Sequence, residues 1–317
     1  MMAQPDSSAF GSASSSSPAD AVVYLNGAYV PESQAFVKVS DRGFLFADGV
    51  YEVTRAEPGS HLFLEAAHMR RLARGLRELQ IDAPGLLSAL PGISRELLRV
   101  NNLGGSLATV YVQVTRGAHS PRAHVFPPAG TAATVFVAAR PLSVPAASAG
   151  ASAITTPDER WARCDLKTVS LLPNVLAKQR AAAAGAYEAL LVRGGAVVEA
   201  AHSNAFAVLD GALWTAPLDN VLPGISRGHI VARAHELGLD VVERAIPLSR
   251  LADATEVFVT STGPDVQAIT AVDGKSVGDG AVGPVVLALR TAFARWVAED
   301  RTRCAEDMAA LRAELEA

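Results

Sequence analysis

The sequence predicts a mixed α/β (α+β) chain built as two domains. Half of its 317 residues are hydrophobic, which is enough for a core large enough to divide. Alternating, strand-like runs and 3.6-period, helix-like runs are interspersed through both halves rather than segregated. Residues 140–152, RPLSVPAASAGAS, then interrupt that periodicity with Pro, Ala and Ser. The expected division is a disordered tail over 1–20, a small N-terminal α/β domain over 21–141, an interdomain linker over 142–150 and a larger C-terminal domain over 151–317.

The elements follow in order. Val22 to Val30 reads as a hairpin turning at Asn26-Gly27, the strongest short hairpin signal. Residues 35–39 read as extended. Gly49 to Arg55 alternates as a strand does, with His61 to Leu64 as its hairpin partner. Glu65 to Leu79 is a helix, because Met69, Leu72, Leu76 and Leu79 share one face and Arg70, Arg74 and Glu78 the other. A second helix spans Ile93 to Val100 and stops at Asn101-Asn102. Leu107 to Thr115 and Thr134 to Ala139 are strands of one sheet. In the second half, a helix is expected around Val175 to Ala184, and a hairpin at EALLV-RGG-AVVEA. A strand pair turns at Asp210-Gly211, a helix runs from Ser226 to Leu237, and Glu256 to Thr260 is a strand. From Pro284 onward the chain reads as largely helical.

Bulk properties exclude several classes. The net charge is −4, which gives no basis for binding nucleic acid or an anionic membrane surface. No charge-poor apolar run is long enough to span a bilayer. Residues 1–20 contain no Lys or Arg and no apolar core, unlike a secretory signal or a transit peptide. Two cysteines, Cys164 and Cys304, are too few for a disulfide framework or a zinc site, so a metal is not expected and a reducing, cytoplasmic compartment is. The only lysines are Lys38, Lys167, Lys178 and Lys275. Chemistry that needs an amine able to lose its proton has those four candidates, since arginine never deprotonates.

On its own, Lys167 would be a solvated surface lysine, Arg71 a helix-face arginine, Glu199 a hairpin-edge carboxylate and Gly224-Ile225-Ser226 a plain helix cap. Their sequence contexts change that weighting. RCDLKTVSLLPNVLAKQ (163–179) resembles the lysine segment of the fold-type IV pyridoxal-phosphate (PLP) enzymes, the family of D-amino-acid and branched-chain aminotransferases. Glu199 followed by Asn204 and Phe206 is similar to that family's E-x-x-x-x-N-x-F signature, and Asp41 to Glu52 to its DRG-x-x-F-x-DG-V-Y-E motif. The resemblance runs in order over about residues 22–300. It implies a two-domain fold-type IV architecture whose larger C-terminal domain carries a barrel-like sheet.

The resemblance also implies roles. Lys167 is to hold pyridoxal 5'-phosphate as a Schiff base and later to move a proton, which requires a depressed pKa. Glu199 is to face the pyridine nitrogen and keep it protonated. Ile225 and Ser226, where Leu222-Pro223-Gly224 opens a helix, are to cup the phosphate, with Ser261 and Thr262 as a second wall. Arg71, in the H-x-x-R-L pattern of His68 to Leu72, is to neutralise the phosphate, and Leu222 to pack on the ring. The loop Arg116 to Pro127 looks like the D-amino-acid aminotransferase "RG…PRxHxFP" loop. Arg122 and His124, with Tyr51, are thereby expected to bind the substrate α-carboxylate. In the family this loop enters the partner's active site, which implies a homodimer.

The sequence departs from the family pattern at His119, an apparent insertion, and at Ala200-Ala201-His202, where serines are common. A loop histidine is ordinarily a surface residue, so neither His119 nor His202 is assigned to the site. Lys178 is expected to make at most a structural contact, and His229 and His235 are read as structural. The activity implied is transamination of a D-amino acid such as D-alanine with a 2-oxo acid such as 2-oxoglutarate. A branched-chain L-aminotransferase, with Arg55 as a carboxylate partner, is the alternative, as are an R-selective amine transaminase and an aminodeoxychorismate lyase. A PLP-binding protein without turnover is a further reading.

Overall fold

The computed structural model describes residues 20–144, 150–263 and 265–316. Residues 1–19 of the expected tail and 145–149 of the expected linker lie outside them. The chain forms β1 (Val22–Leu25), β2 (Ala28–Pro31), α1 (Arg42–Phe46), β3 (Gly49–Glu57), β4 (His61–Leu62), α2 (Glu65–Glu78), α3 (Leu86–Val100), β5 (Ala108–Thr115) and β6 (Thr134–Pro141). These strands make one antiparallel sheet in the order β2-β1-β6-β5-β3-β4. Helices α2 and α3 cover it, burying Met69, Leu72 and Leu76 from one and Leu90, Ile93 and Leu97 from the other against Val110, Val112 and Val137.

The second half contributes β7 (Ala151–Pro157), α4 (Leu172–Ala183), β8 (Glu188–Arg193), β9 (Ala196–Ala200), β10 (Asn204–Leu209), β11 (Ala212–Thr215), α5 (Ile225–Arg233), β12 (Val241–Glu243), β13 (Ile246–Pro247), β14 (Glu256–Ser261), β15 (Asp265–Val272), β16 (Lys275–Ser276) and α6 (Pro284–Glu316). The sheet order is β12-β11-β10-β14-β15-β7-β8-β9-β13, with β16 beside β15. Four strands separate β9 from β10 along this path, which in a flat sheet would place them ~24 Å apart at ~4.8 Å per strand. The three residues that join Ala200 to Asn204 reach at most ~14 Å. The sheet therefore curls into a half-barrel and brings the end of β9 back onto the start of β10. That closure is what builds the site described below.

The expected hairpins and amphipathic helices form close to their expected bounds, and the mixed α/β class holds. Three details differ. Residues 35–39 are not a strand: Phe36 and Val39 are each 80% exposed, and no strand among the described residues pairs with them. Helix α3 starts at Leu86 rather than Ile93 and contains Pro91. Leu86 and Leu90 continue the apolar face of Ile93 and Leu97, and their burial outweighs the ~3 kcal/mol cost of an interior proline. The helix expected over Ser226 to Leu237 stays α-helical to Arg233 and tightens to a 3-10 turn over Ala234–Leu237.

Helix α6 serves both cores. Near its start, Val286, Leu289, Phe293 and Trp296 pack with the second sheet's Phe206 and Phe258. Near its end, Met308 and Leu311 join the first sheet's cluster. Its N-terminus is capped from afar, because the Glu256 carboxylate accepts from Val285 N (2.8 Å) and Val286 N (2.9 Å). Among the described residues no helix is long and apolar enough to cross a membrane.

Candidate active site

A cavity of about 280 Å³ lies between the two sheets. It gathers Tyr51, Arg71, Lys167, Glu199, Leu222, Ile225, Ser226, Ser261 and Thr262 from separate stretches of the chain. Lys167 arrives there because its segment is stitched to the start of β3: Tyr51 N donates to Lys167 O (2.9 Å) and Val169 N to Gly49 O (3.1 Å). The Lys167 ammonium sits 4.2 Å from the centroid of the Tyr51 ring. Removal from water lowers its pKa to about 8, and the nearby Arg71 charge adds to the effect. The Tyr51 hydroxyl is pushed up to about 12 by burial and by Glu52.

Strand alternation sends Tyr51 into the cavity and Glu52 toward α2. There the Glu52 carboxylate accepts from Arg71 Nε (2.9 Å) and Nη2 (2.6 Å) and meets His68 Nδ1 (3.0 Å). Burial opposes this charge, but Arg71 and His68 win and hold it far below the usual carboxylate range. Arg71 also donates from Nη1 to Pro223 O (2.9 Å), which ties α2 to the lead-in of α5. Two of its five N–H groups remain for a ligand.

At the other end of the cavity, Glu199 closes β9. The β8–β9 hairpin turns at Gly194 and Gly195, both at positive φ (58° and 78°), as its sequence requires. Burial raises the Glu199 pKa to about 6, against the pull of Arg160. Arg160 forms a close ion pair with Glu199 and is held in turn by Asp158 (Nε–Oδ1 2.9 Å, Nη2–Oδ2 3.0 Å). Arg193 also bonds Asp158 (2.6 Å), and the Asp158 pKa lies at about 2. Asn204 completes this end by donating to Glu199 (3.2 Å) and to Leu222 O (3.0 Å). Gly224 is required by that packing: a Cβ there would come within 1.8 Å of Asn204 Oδ1.

Helix α5 opens on the cavity at Ile225 with no side-chain cap, so its first N–H groups are available. Ser226 Oγ lies beside Ser261 O (3.4 Å), and Thr262 Oγ1 beside Val53 O (3.4 Å). Thr260, which also lines the cavity, has a buried hydroxyl without a hydrogen-bond partner among the described residues. These groups surround a place suited to an anion.

Arg122 and His124 do not line this cavity. They are exposed on the loop after β5, packed on Phe46: the Arg122 guanidinium lies 4.3 Å from that ring's centroid and the His124 ring 5.3 Å away. Arg55 is also elsewhere, ion-paired with Asp265 and 2.6 Å from Glu57. It is committed within this fold and offers nothing to a carboxylate in the cavity.

Several lining residues went unassigned in the sequence. Arg160 carried only a weak signal, an Asp-x-Arg spacing ahead of the lysine segment. Thr260 could have been found from its place beside Ser261 and Thr262. His202 and Lys178, read as surface and structural, both line the cavity.

Residues 49–272 match the family described as amino-transferase class IV. The chain is 38% identical over 280 residues to a D-alanine aminotransferase of Staphylococcus haemolyticus, covering 87% of this chain and 97% of that protein. It is 39% identical over 275 residues to one of Listeria innocua, covering 86% and 94%. Among solved structures, a T.th. branched-chain amino acid aminotransferase complexed with N-(5'-phosphopyridoxyl)-L-glutamate superposes with a TM-score of 0.80 at 29% identity, covering 88% of this chain and 94% of that one. The branched-chain enzyme of Escherichia coli superposes with a TM-score of 0.79 at 28% identity, covering 86% and 93%. The half-barrel, the cavity-lining lysine and matches that span most of each chain lead to one assignment: this chain belongs to the class IV aminotransferases.

Proposed function

We propose that the enzyme transfers the amino group of a D-amino acid, such as D-alanine, to a 2-oxo acid such as 2-oxoglutarate, with pyridoxal 5'-phosphate as cofactor. The observation that carries this reading is the convergence of complementary groups on one cavity. A depressed-pKa amine, a buried carboxylate and a group of hydroxyls beside a free helix start line this one cavity, and they complement the cofactor's aldehyde, ring nitrogen and phosphate. The unpartnered Thr260 hydroxyl and the uncapped start of α5 fit the phosphate. Lys167 would hold the aldehyde carbon, and Glu199 the ring nitrogen. Ser226, Ser261, Thr262 and Arg71 would take the phosphate, with Ile225 at the helix start and Leu222 against the ring.

When bound, the cofactor supplies an electron sink for negative charge at the substrate α-carbon. The chain's own residues do the rest. Lys167, with its pKa near 8, takes the proton from the α-carbon and returns it. Glu199, ionised at neutral pH despite its burial and backed by Arg160, keeps the ring nitrogen protonated. Tyr51 stays neutral and presents its hydroxyl to the substrate carboxylate.

Arg122 and His124 lie outside this chain's own cavity, on a loop that also exposes Val125 and Phe126. That placement supports a homodimer in which each loop binds the α-carboxylate in the partner's site. The two free thiols fit a cytoplasmic enzyme. The D-alanine aminotransferases share more sequence with this chain than the branched-chain structures do, and the engagement of Arg55 by Asp265 removes that arginine from the branched-chain reading.

The test is the visible absorption of the purified, cofactor-loaded protein with D-alanine or L-leucine added separately. D-alanine alone should bleach the cofactor's band. If L-leucine does so instead, the branched-chain reading replaces this one.

A further inference from the structure

Arg55 does not line the cavity, yet it stands beside one of its walls. On β3 the period of two puts Tyr51, Val53 and Arg55 on one face, while Val50 and Ala56 turn to the core shared with α2. Tyr51 enters the cavity. The other two meet the second sheet where β14 passes into β15. Val53 O lies beside Thr262 Oγ1 (3.4 Å), and the Arg55 guanidinium pairs with Asp265. Asp265 in turn stands opposite Ser261 in the β14–β15 ladder. Ser261 and Thr262 are thus held by contacts that reach across from the first sheet. Leu142, just after β6, adds another: a Cβ at Gly263 would come within 3.7 Å of its side chain.

The ion pair is nearly out of water, with 12% of the Arg55 side chain and 15% of that of Asp265 exposed. Glu57 Oε1 lies 2.6 Å from Arg55 Nε, so the guanidinium is anchored on its own strand and directs Nη1 at Asp265. Two carboxylates face this one cation, which leaves it no charge to offer a phosphate. Its reach into the site runs through Asp265. The backbone there is left-handed (φ 56°), a conformation that persists where its surroundings fix it. A guanidinium–carboxylate bond is directional as well as strong, and suits that task.

We propose that Arg55 is a positioning residue for the cofactor phosphate: paired with Asp265, it fixes the Ser261–Thr262 wall against the start of α5. Ser226 Oγ meets Ser261 O at that junction (3.4 Å). A wall that drifts would loosen the hydroxyl contacts to the phosphate and leave the groups that face the ring in place. This inference rests on the cofactor reading and assigns the ion pair that holds one of its binding walls.

The test is titration of the full-length, cofactor-stripped protein with pyridoxal 5'-phosphate and with pyridoxal, which lacks the phosphate, each followed by the visible band. A hydrogen bond to a charged group is worth roughly ten- to a hundredfold in affinity. Asp265→Asn should weaken pyridoxal 5'-phosphate about tenfold and pyridoxal less than about twofold. In this variant Arg55 keeps Glu57, so no buried cation is left alone. Arg55→Met should shift the ratio in the same direction, and Arg55→Lys, which keeps a donor, should recover part of it. Leu311→Ala, which loosens the first core away from the cup, should leave the ratio at its wild-type value. Equal losses for both ligands in Asp265→Asn, or none, would overturn the positioning role. So would a wild type that binds the two aldehydes equally, although a band bleached by D-alanine would then leave transamination standing. No band with either ligand would overturn the cofactor reading and this role with it. The expected ratios with a band that D-alanine does not bleach support the positioning role and reject the D-amino-acid reading.

Discussion

At the residue scale, the decisive feature is an amine that is neutral far more often than a lysine in water. With its pKa at about 8 instead of 10.5, Lys167 is uncharged in roughly one molecule in ten at pH 7. That is roughly a 300-fold gain over an ordinary lysine. Only the neutral amine attacks an aldehyde, so loading of cofactor-free protein should quicken as pH rises and level off above about pH 8. A stopped-flow series of the visible band against pH checks this, and a rate still climbing at pH 10 would count against it. Lys167→Ala should fold yet show neither the band nor turnover. Arg160 is the counterpart at the far end. It pulls the Glu199 pKa down, so Arg160→Gln should let burial carry that pKa above its present value of about 6. The acidic limb of the kcat/KM profile should then move to higher pH, with activity lost near neutrality and recovered above it. A limb that does not move would show that the ion pair is only structural.

At the element scale, the fold presents the Arg122–His124 loop through a second constellation. Arg42, buried at the start of α1, donates to Asp48 (2.8 Å) and to the carbonyls of Ala123 (2.7 Å), Val125 (3.2 Å) and His124 (3.3 Å). Arg116 shares Asp48 from the other side (2.8 Å) and lies 3.7 Å from the centroid of the Phe126 ring. Phe46 carries Arg122 and His124 on its ring. If that loop binds the α-carboxylate, Phe46→Ala should raise KM for amino acids roughly tenfold, the scale of a lost cation–π contact and its order, with a smaller rise for an amine lacking a carboxylate. Equal rises would remove Phe46 from substrate positioning. This level also shows what the sequence could reveal. The lysine segment, the Arg-Gly-Gly hairpin and the start of α5 were legible because each is written in contiguous residues. The Arg160–Glu199 pair and the Arg55–Asp265 pair were not, because they form only when the second sheet curls and packs beside the first. Residues 35–39 misled for the opposite reason: a β-like composition meets no pairing partner among the described residues, and the chain stays irregular.

At the scale of the whole molecule, two features join what the sequence divides. Helix α6 begins in the core of the second sheet and ends in that of the first, with the His61–Asp300 contact (3.0 Å) between them. Leu311, 2% exposed, should cost about 2–5 kcal/mol as Leu311→Ala. The loss should appear as faster hydrogen exchange in α2, β3 and β5, with β10 and β14 little affected. Uniform loss across both sheets would mean that they unfold as one unit.

The proposed exchange of loops between subunits is the other feature, and it can be separated from a loop acting on its own site. Lys167→Ala lacks the reactive amine but keeps Arg122, while Arg122→Leu has the reverse defect. Mixed and refolded together, half of the random dimers contain one subunit of each kind. If Arg122 serves the partner, the subunit that retains Lys167 receives an intact arginine and one site per mixed dimer is whole, so about a quarter of wild-type activity should return. If Arg122 serves its own chain, the amine and the arginine never meet in one site, and mixing restores nothing. Because Arg122 and His124 lie outside the cavity of their own chain, the geometry favours the first outcome.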